Sequence, residues 1–449
     1  AEVELLQADA ARAVGRYDAA TGHYTAAAVH ARRAGDADRL VEAALGCSIS
    51  STVGVGNRVG SVDHDLVALL EEGLARAGGD AARVRLGAAL AVSLYYDPDR
   101  ARRLALVAEV VDRAERTGDD RLLGLALHAR AVALWLAATA VEREADLARA
   151  VGLAEQGDDH EQALRFRAAW IGTLVELGRV ADAERELARV AELAELLRQP
   201  ALRYFPLSCG AMLDILHGRF DEGEAAAQTA ARLLDAPAGV NPLGVWVARM
   251  FLLAWERGRL AEVAALVDTA DGDMDGLLHQ PLMRLAATLA LADGGHVGDA
   301  ESRYVQESPR LPPDDGFFLP LRVLRAELAH RFDDRVGARA VLDDLRPYAG
   351  RLAQIGTTVC MGPVSRSLGL AAATLGELDA ADGWLLQAED EAAAIDAPSW
   401  QARALADRAQ VRRRRGGPGD EASAARLDGR AEELASRLGL PDPATPRYR

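Results

Sequence analysis

One six-residue phrase recurs at a near-constant interval, and that interval limits the fold more than any other feature of the chain. Gly15-Arg16-Tyr17-Asp18-Ala19-Ala20 returns as Gly178-Arg179-Val180-Ala181-Asp182-Ala183, as Gly218-Arg219-Phe220-Asp221-Glu222-Gly223 and as Gly258-Arg259-Leu260-Ala261-Glu262-Val263. More divergent copies stand at Gly295-His296-Val297-Gly298-Asp299-Ala300 and Gly376-Glu377-Leu378-Asp379-Ala380-Ala381. From Gly178 to Gly295 the steps are 40, 40 and 37 residues. A fixed period of this size marks a repeat architecture, in which each unit buries its apolar face only against its neighbours. Such a stack escapes the limit that would otherwise divide 449 residues into two or three globular cores.

A second phrase interleaves with the first: Gly35-Asp36, Gly79-Asp80, Gly118-Asp119 and Gly157-Asp158, in steps of 44, 39 and 39 residues. Glycine supplies a left-handed helix stop and the Asp after it caps the next helix. In the first phrase Gly178 ends one helix, Asp182 and Glu184 fall in the first turn of the next, and Ala183 permits close contact. One repeat therefore reads Gly-Asp, helix, Gly-Arg, helix. Between Asp158 and Leu197, Leu164, Ala168, Ile171 and Val175 keep helical spacing, as do Leu187, Val190, Ala191 and Ala194. The expected fold is all-α: a right-handed superhelical solenoid of about eleven antiparallel helix pairs, each about 40 residues long. The β-branched run Thr357-Thr358-Val359 is expected to open a helix rather than form a strand.

Connectors are expected where Gly and Pro cluster: 54–60, Tyr96-Asp97-Pro98-Asp99, 235–239, 271–273, 308–316 and Arg415-Gly416-Gly417-Pro418-Gly419-Asp420. None is long enough to be a flexible interdomain linker. The reading is one repeat domain over 1–440, with a possible sub-array at 1–96 before a main array at 97–440, and a tail at 441–449. Glu2-Val3-Glu4-Leu5-Leu6 already sits in a helical pattern with no initiator Met. Either a segment cut from a longer protein or Met removal explains that start.

Composition supports closely packed helices: half of the residues are hydrophobic, only 5% are aromatic, and alanine, leucine and arginine dominate. No lysine occurs, which reads as the signature of a GC-rich genome. The net charge of −16 makes the chain a poor candidate for gripping a phosphate backbone. Cys47, Cys209 and Cys360 lie far apart without ligand spacing and read as thiols in a reducing compartment. No membrane-spanning run or signal peptide is visible, so the expected location is cytoplasmic.

Chemistry-bearing patterns are sparse, and no catalytic, cofactor-binding or metal residue is assigned. The glycines of 54–60 lack the Lys of a phosphate-binding loop and any preceding strand. Asp158-Asp159-His160-Glu161, Asp333-Asp334 and Asp343-Asp344 would be the carboxylates of an all-helical, magnesium-dependent enzyme such as an isoprenoid cyclase, but they lack that family's acidic motif and read as caps and solvated faces. Histidines show no zinc spacing. Arg412 to Arg415 end a helix, where cations complement the dipole. Most of the tryptophans are expected in the core, with one or two lining a groove. In Arg165-Phe166-Arg167-Ala168-Ala169-Trp170, charge and aromatics meet on one helix, so Arg165, Arg167 and Trp170 are the groove candidates.

Several phrases occur in an order that resembles a known family. They are Leu94-Tyr95-Tyr96-Asp97-Pro98, Ala133-Leu134-Trp135, Leu174-Val175-Glu176-Leu177-Gly178, Leu196-Leu197-Arg198-Gln199-Pro200 and His217-Gly218-Arg219-Phe220. Met361-Gly362-Pro363-Val364-Ser365-Arg366-Ser367-Leu368-Gly369-Leu370, Pro398-Ser399-Trp400 and the 415–420 connector continue the series. From about Asp97 to Gly439 the chain resembles the tetratricopeptide-like region of large actinobacterial ATP-binding regulators. These are the signal-transduction ATPases with numerous domains, which include LuxR-type activators and relatives with cyclase or SARP-type front ends. The resemblance implies a non-catalytic sensor and interaction arm that binds an inducer or a partner protein in its concave groove. It also implies a nucleotide-binding module upstream in the parent chain, with no ATP hydrolysis or nucleic-acid contact by these residues. A stand-alone protein-interaction scaffold of tetratricopeptide type is the alternative, and an all-helical metal-dependent enzyme the third.

Overall fold

The computed structural model describes residues 1–14, 16–52, 61–233, 242–267, 280–308, 311 and 316–441. Among them lie 22 α-helices and one two-stranded sheet. Helix accounts for 81% of the structure. Contacts divide the chain into two compact units. The first comprises Ala1–Thr173, Glu184–Cys209 and Ala227–Val245, and the second Leu174–Ala183, Gly210–Ala226 and Trp246–Arg449.

The first unit is built mainly from α1 (Glu2–Ala13), α2 (Tyr17–Ala34), α3 (Ala37–Thr52), α4 (His64–Arg76), α5 (Asp80–Ser93), α6 (Arg100–Thr117), α7 (Asp120–Ala133) and α8 (Ala140–Gln156). Most of α9 (His160–Glu176) and α10 (Val180–Leu197) belongs to it as well. From α1 to α8 each helix packs on its predecessor, and alternate helices also touch, α3 on α5 and α5 on α7. That double set of contacts is the packing of a helical repeat. Alanine makes it possible: Ala27, Ala28, Ala31, Ala43, Ala44 and Ala89 are buried around Leu40, Leu70, Leu86 and Leu94. A methyl side chain lets helix axes approach to the short end of the usual 8–10 Å range.

Helices α11 (Tyr204–Leu216) and α12 (Phe220–Leu233) contribute to both units. The second unit continues with α13 (Pro242–Glu256), α14 (Leu260–Val267), α15 (Pro281–Asp293), α16 (Val297–Glu307), α17 (Phe318–Arg331) and α18 (Arg335–Leu345). After a β-hairpin it closes with α19 (Val364–Leu375), α20 (Leu378–Ala394), α21 (Pro398–Arg415) and α22 (Asp420–Arg437). Neighbours and alternate helices again pack together, α15 on α17 and α17 on α19.

The Gly-Arg phrase is a helix-reversal device. Gly178, at φ +74°, leaves the right-handed region. Its N–H bonds Val175 O at 2.9 Å and the N–H of Arg179 bonds Leu174 O at 2.8 Å, the paired bonds of a Schellman stop. The same pairs recur at Gly218-Arg219, Gly258-Arg259, Gly295-His296 and Gly376-Glu377. The arginine then clamps the new helix: Arg179 Nε donates to Asp182 at 2.6 Å and Arg259 to Glu262 at 2.7 Å. Gly15 lies outside the described residues.

The Gly-Asp phrase holds at two of its four positions. Gly35 and Gly118 are left-handed stops, and Asp36 and Asp119 cap the helices that follow. At Gly157-Asp158-Asp159 the phrase is displaced by one residue: Asp158 takes the left-handed conformation at φ +50° and Asp159 caps α9. Asp tolerates that conformation because its short side chain bonds locally. Gly79 is not a stop; its φ is −150°, it sits at the N-cap of α5, and Asp80 is already helical. The 96–99 and 415–420 connectors are turns, whereas 54–60, 235–239, 271–273, most of 308–316 and 442–449 lie outside the described residues.

The expectation of a helix start at Thr357-Thr358-Val359 is overturned. β1 (Leu352–Ile355) pairs antiparallel with β2 (Val359–Pro363) around a tight turn, in which Thr358 N–H bonds Ile355 O at 2.8 Å. Gly356 stands first in that turn with φ +51°, the position a II′ hairpin reserves for glycine. Both strands are buried on both faces, Leu352, Ala353, Gln354, Val359, Cys360 and Met361 alike. The hairpin is held by groups distant in sequence. Arg249 of α13 donates to the carbonyls of Thr358 at 3.1 Å and Thr357 at 3.2 Å. Gln354 Nε2 donates to Glu176 at 3.0 Å. Gly362, at φ +75°, lies flat against Trp400, which meets Trp255 edge-on at 5.6 Å.

A Cβ at position 362 would stand 2.3 Å from the Trp400 ring on a left-handed backbone. Gly362→Ala should therefore lower the urea-unfolding free energy by about 2–4 kcal/mol. Gly383, inside α20 with open space around it, supplies the opposite case. Gly383→Ala should raise stability by about 0.5–1 kcal/mol. Equal effects of the two variants on the unfolding midpoint would contradict the packing described.

Candidate functional site

In the first unit one face of each alternate helix turns onto a cavity of about 560 Å³. α1 sends Leu5, Asp9 and Arg12, spaced so that they share one helical face. α3 contributes Glu42, Leu45, Gly46 and Ser48; α5 contributes Arg85 and Ala89. Leu125 and His128 come from α7, and Glu161, Gln162, Arg165 and Phe166 from α9. Tyr24 of α2 completes the wall. Helices α4, α6 and α8 contribute no residue to it.

The polar wall is a set of answered carboxylates. Arg85 Nη1 donates to Glu42 at 3.1 Å, and Arg165 donates to Glu161 at 2.9 Å. Burial raises the Glu161 carboxyl, but the charge and hydrogen bonds of Arg165 outweigh it and hold the group below its ordinary value. Tyr24 donates its hydroxyl to Asp9 at 2.6 Å. Burial, with the bond to Asp9 adding to it, pushes the Tyr24 phenol up to about 12, so it remains a donor at any physiological pH. Gly46 makes this possible: a Cβ there would fall 2.2 Å from the Tyr24 ring.

The other wall is flat and largely apolar. His128 is 6% exposed and stacks on Phe166, with ring centroids 4.8 Å apart and planes 29° from parallel. Burial, helped by the nearby Arg165 charge, depresses the imidazole to about 3. The ring is therefore neutral, with one N–H and one lone pair.

Of the three candidates read from the sequence, Arg165 lines this cavity. Arg167, two residues on and so about 200° round the helix, is 5% exposed and is held by Glu155 and Glu186. Trp170 donates Nε1 to Glu144 at 3.3 Å and packs against the core of α5 to α9. Sequence reasoning missed Asp9, Arg12, Tyr24 and His128, which come together only when α1, α2 and α7 are folded onto one another's neighbours. A histidine inside the alanine-rich run of α7 was the one available signal.

The acidic pairs serve local structure. Asp334 caps α18 through Gly337 N–H at 2.9 Å, with Asp333 left-handed before it. Asp344 accepts from Arg322 at 3.0 Å. The Arg412–Arg415 run is tied into α20 and α22: Arg412 to Asp382 at 2.8 Å, Arg413 to Asp428, and Arg415 to Asp420 at 2.7 Å. Among the described residues no His, Cys, Asp or Glu cluster has the geometry to hold a metal ion. Among the same residues no helix is long and apolar enough to cross a membrane.

In the second unit charged and polar side chains of alternate helices pair with one another. Arg366 of α19 bonds Glu327 of α17 and stands 2.7 Å from Asp407 of α21. His330 bonds Thr374 at 2.9 Å. The hairpin is buried in the same unit.

No protein-family model matches the chain, and no curated protein is significantly similar to it.

His128 makes stability depend on pH in a definite direction. The unfolded chain takes up its proton near 6.5 and the folded one only near 3, so the unfolded state binds more protons between those values. Stability should therefore fall with falling pH through that window, by up to about 1.4 kcal/mol per pH unit from this residue. Urea unfolding between about pH 7 and 5 should show a shallower decline for His128→Phe than for the parent. Identical slopes would place the imidazole in contact with water.

Proposed function

We propose that this chain is a non-catalytic sensor and interaction arm, a tetratricopeptide-like superhelix within a multidomain signal-transduction regulator of the LuxR-related ATPase type. The cavity formed by α1, α3, α5, α7 and α9 is the observation that carries this reading. An inner layer of alternate helices presenting side chains from distant repeats to one space is how a repeat array gathers a binding surface. The ordered phrases that resemble the sensor region of such regulators point the same way.

In this reading the cavity receives an inducer, and the parent chain carries a nucleotide-binding module upstream. The inducer acts only through its differential affinity for the two states of that module. The cavity has the volume of a small-molecule site, roughly 300–1,000 Å³, rather than the extent of a protein interface.

The dialysable small-molecule fraction of the source cell should raise the melting temperature of the chain. A ligand at about a hundredfold over its Kd adds about 2.7 kcal/mol. Ala89→Met, which adds a flexible side chain where the core meets the cavity, should abolish the shift, read against the variant's own lower unliganded melting temperature. An unaltered shift in Ala89→Met would remove the cavity from the account. A parent reading frame without an upstream nucleotide-binding module would replace the regulator with the stand-alone scaffold.

A further inference from the structure

The charge arrangement of the cavity narrows the class of ligand, on the reading that this cavity is the sensor site. Its acids are satisfied from within: Asp9 by Tyr24 at 2.6 Å, Glu42 by Arg85 at 3.1 Å and Glu161 by Arg165 at 2.9 Å. Arg12 differs from the other two cations. Its nearest carboxylate oxygen is Asp9 Oδ1 at 4.0 Å, the atom that already accepts from Tyr24. Its Nε is buried with no hydrogen-bond partner. A buried donor left unmade costs about 1–3 kcal/mol. A cationic ligand would find no carboxylate free of a partner on this wall, whereas an anion finds a guanidinium with no carboxylate oxygen closer than 4.0 Å.

The opposite side fixes the rest of the ligand. His128, neutral and nine-tenths buried, has no hydrogen-bond partner among the described residues, and its ring stacks on that of Phe166. Flat rings gain most against such a surface in offset or stacked contact. Leu5, Leu45 and Leu125 line the same space.

We propose that the first unit binds a small organic acid built on a planar ring, with its carboxylate on Arg12 and its ring along the His128–Phe166 stack. Tyr24 and Asp9 position Arg12 without meeting the ring. The imidazole of His128 supplies one further hydrogen bond to a polar substituent.

Calorimetry on the full chain with three probes of one size tests both halves of the assignment: 2-naphthoate, its uncharged isostere 2-naphthamide, and the non-planar decahydro-2-naphthoate. The naphthoate should bind about tenfold or more tighter than either of the others, the margin of a charged hydrogen bond. Arg12→Gln should erase the advantage over the amide and leave amide binding unchanged. Arg116→Gln, in an exposed pair with Asp112, should change nothing. Equal affinity of acid and amide, or an advantage that persists in Arg12→Gln, overturns the role of Arg12. Equal affinity of the planar and saturated acids overturns the ring assignment. Binding of none of the three overturns the ligand class altogether. If the Ala89→Met melting difference persists in any of these cases, the sensor reading survives without it.

Discussion

A helix can turn back against its predecessor only if the chain leaves the right-handed region at a defined residue. Here that residue is set by the recurring glycine, and everything above it in the hierarchy follows from its regularity. With φ near +70°, as at Gly178 and Gly258, the Schellman pair closes and the next residue begins a new helix in the opposite direction. At two of the stops the Arg that follows bonds an acid three residues on, Arg179 with Asp182 and Arg259 with Glu262, whereas Arg219 reaches back to Asp214. Stop, reversal and restart are thus encoded in a few consecutive residues. Where the spacing between such stops is constant, the helices have similar lengths and must lie side by side.

Side-by-side helices of similar length bury one another through alanine, and that choice decides where larger groups go. When Ala27, Ala31, Ala43 and Ala44 fill the contacts between neighbours, the bulky and charged residues of α3, α5, α7 and α9 are left to the inner face. An inner face populated by arginine and glutamate cannot collapse to a dry core without pairing every charge. The second unit solves this with Glu327, Arg366 and Asp407 in one ladder and with a hairpin whose carbonyls Arg249 satisfies. The first unit pairs most of its charges and leaves a space between them.

This division explains which parts of the molecule could be read from the chain alone. The repeat was legible because its information is local: a glycine, an acid at a helix start and apolar residues three and four apart. Gly79 and Gly157 departed from the expected role because the neighbouring residues, an extended Gly79 before α5 and a second Asp at 159, shift the stop or remove it. The hairpin was misread because both of its faces are buried, so the alternation that identifies a strand is missing from Leu352 to Pro363. Its surviving signal was Gly356 between β-branched residues. The cavity was legible only at Arg165, since Arg12, Tyr24 and His128 come from three different helices and nothing along the chain relates them.

The properties of the first unit's cavity also bear on how it could act as a switch. Its groups are held in one protonation state across the physiological range: Tyr24 as a donor, Glu161 as an anion, His128 as a neutral ring. Such a wall responds to the chemistry of what enters rather than to ambient pH. Because α1, α3, α5, α7 and α9 each contribute, a bound molecule would touch helices from several successive repeats at once. The free energy of that contact is gained only in the arrangement where all of them converge. In the proposed role a repeat array would transmit this cheaply, since each interface would need to shift only slightly.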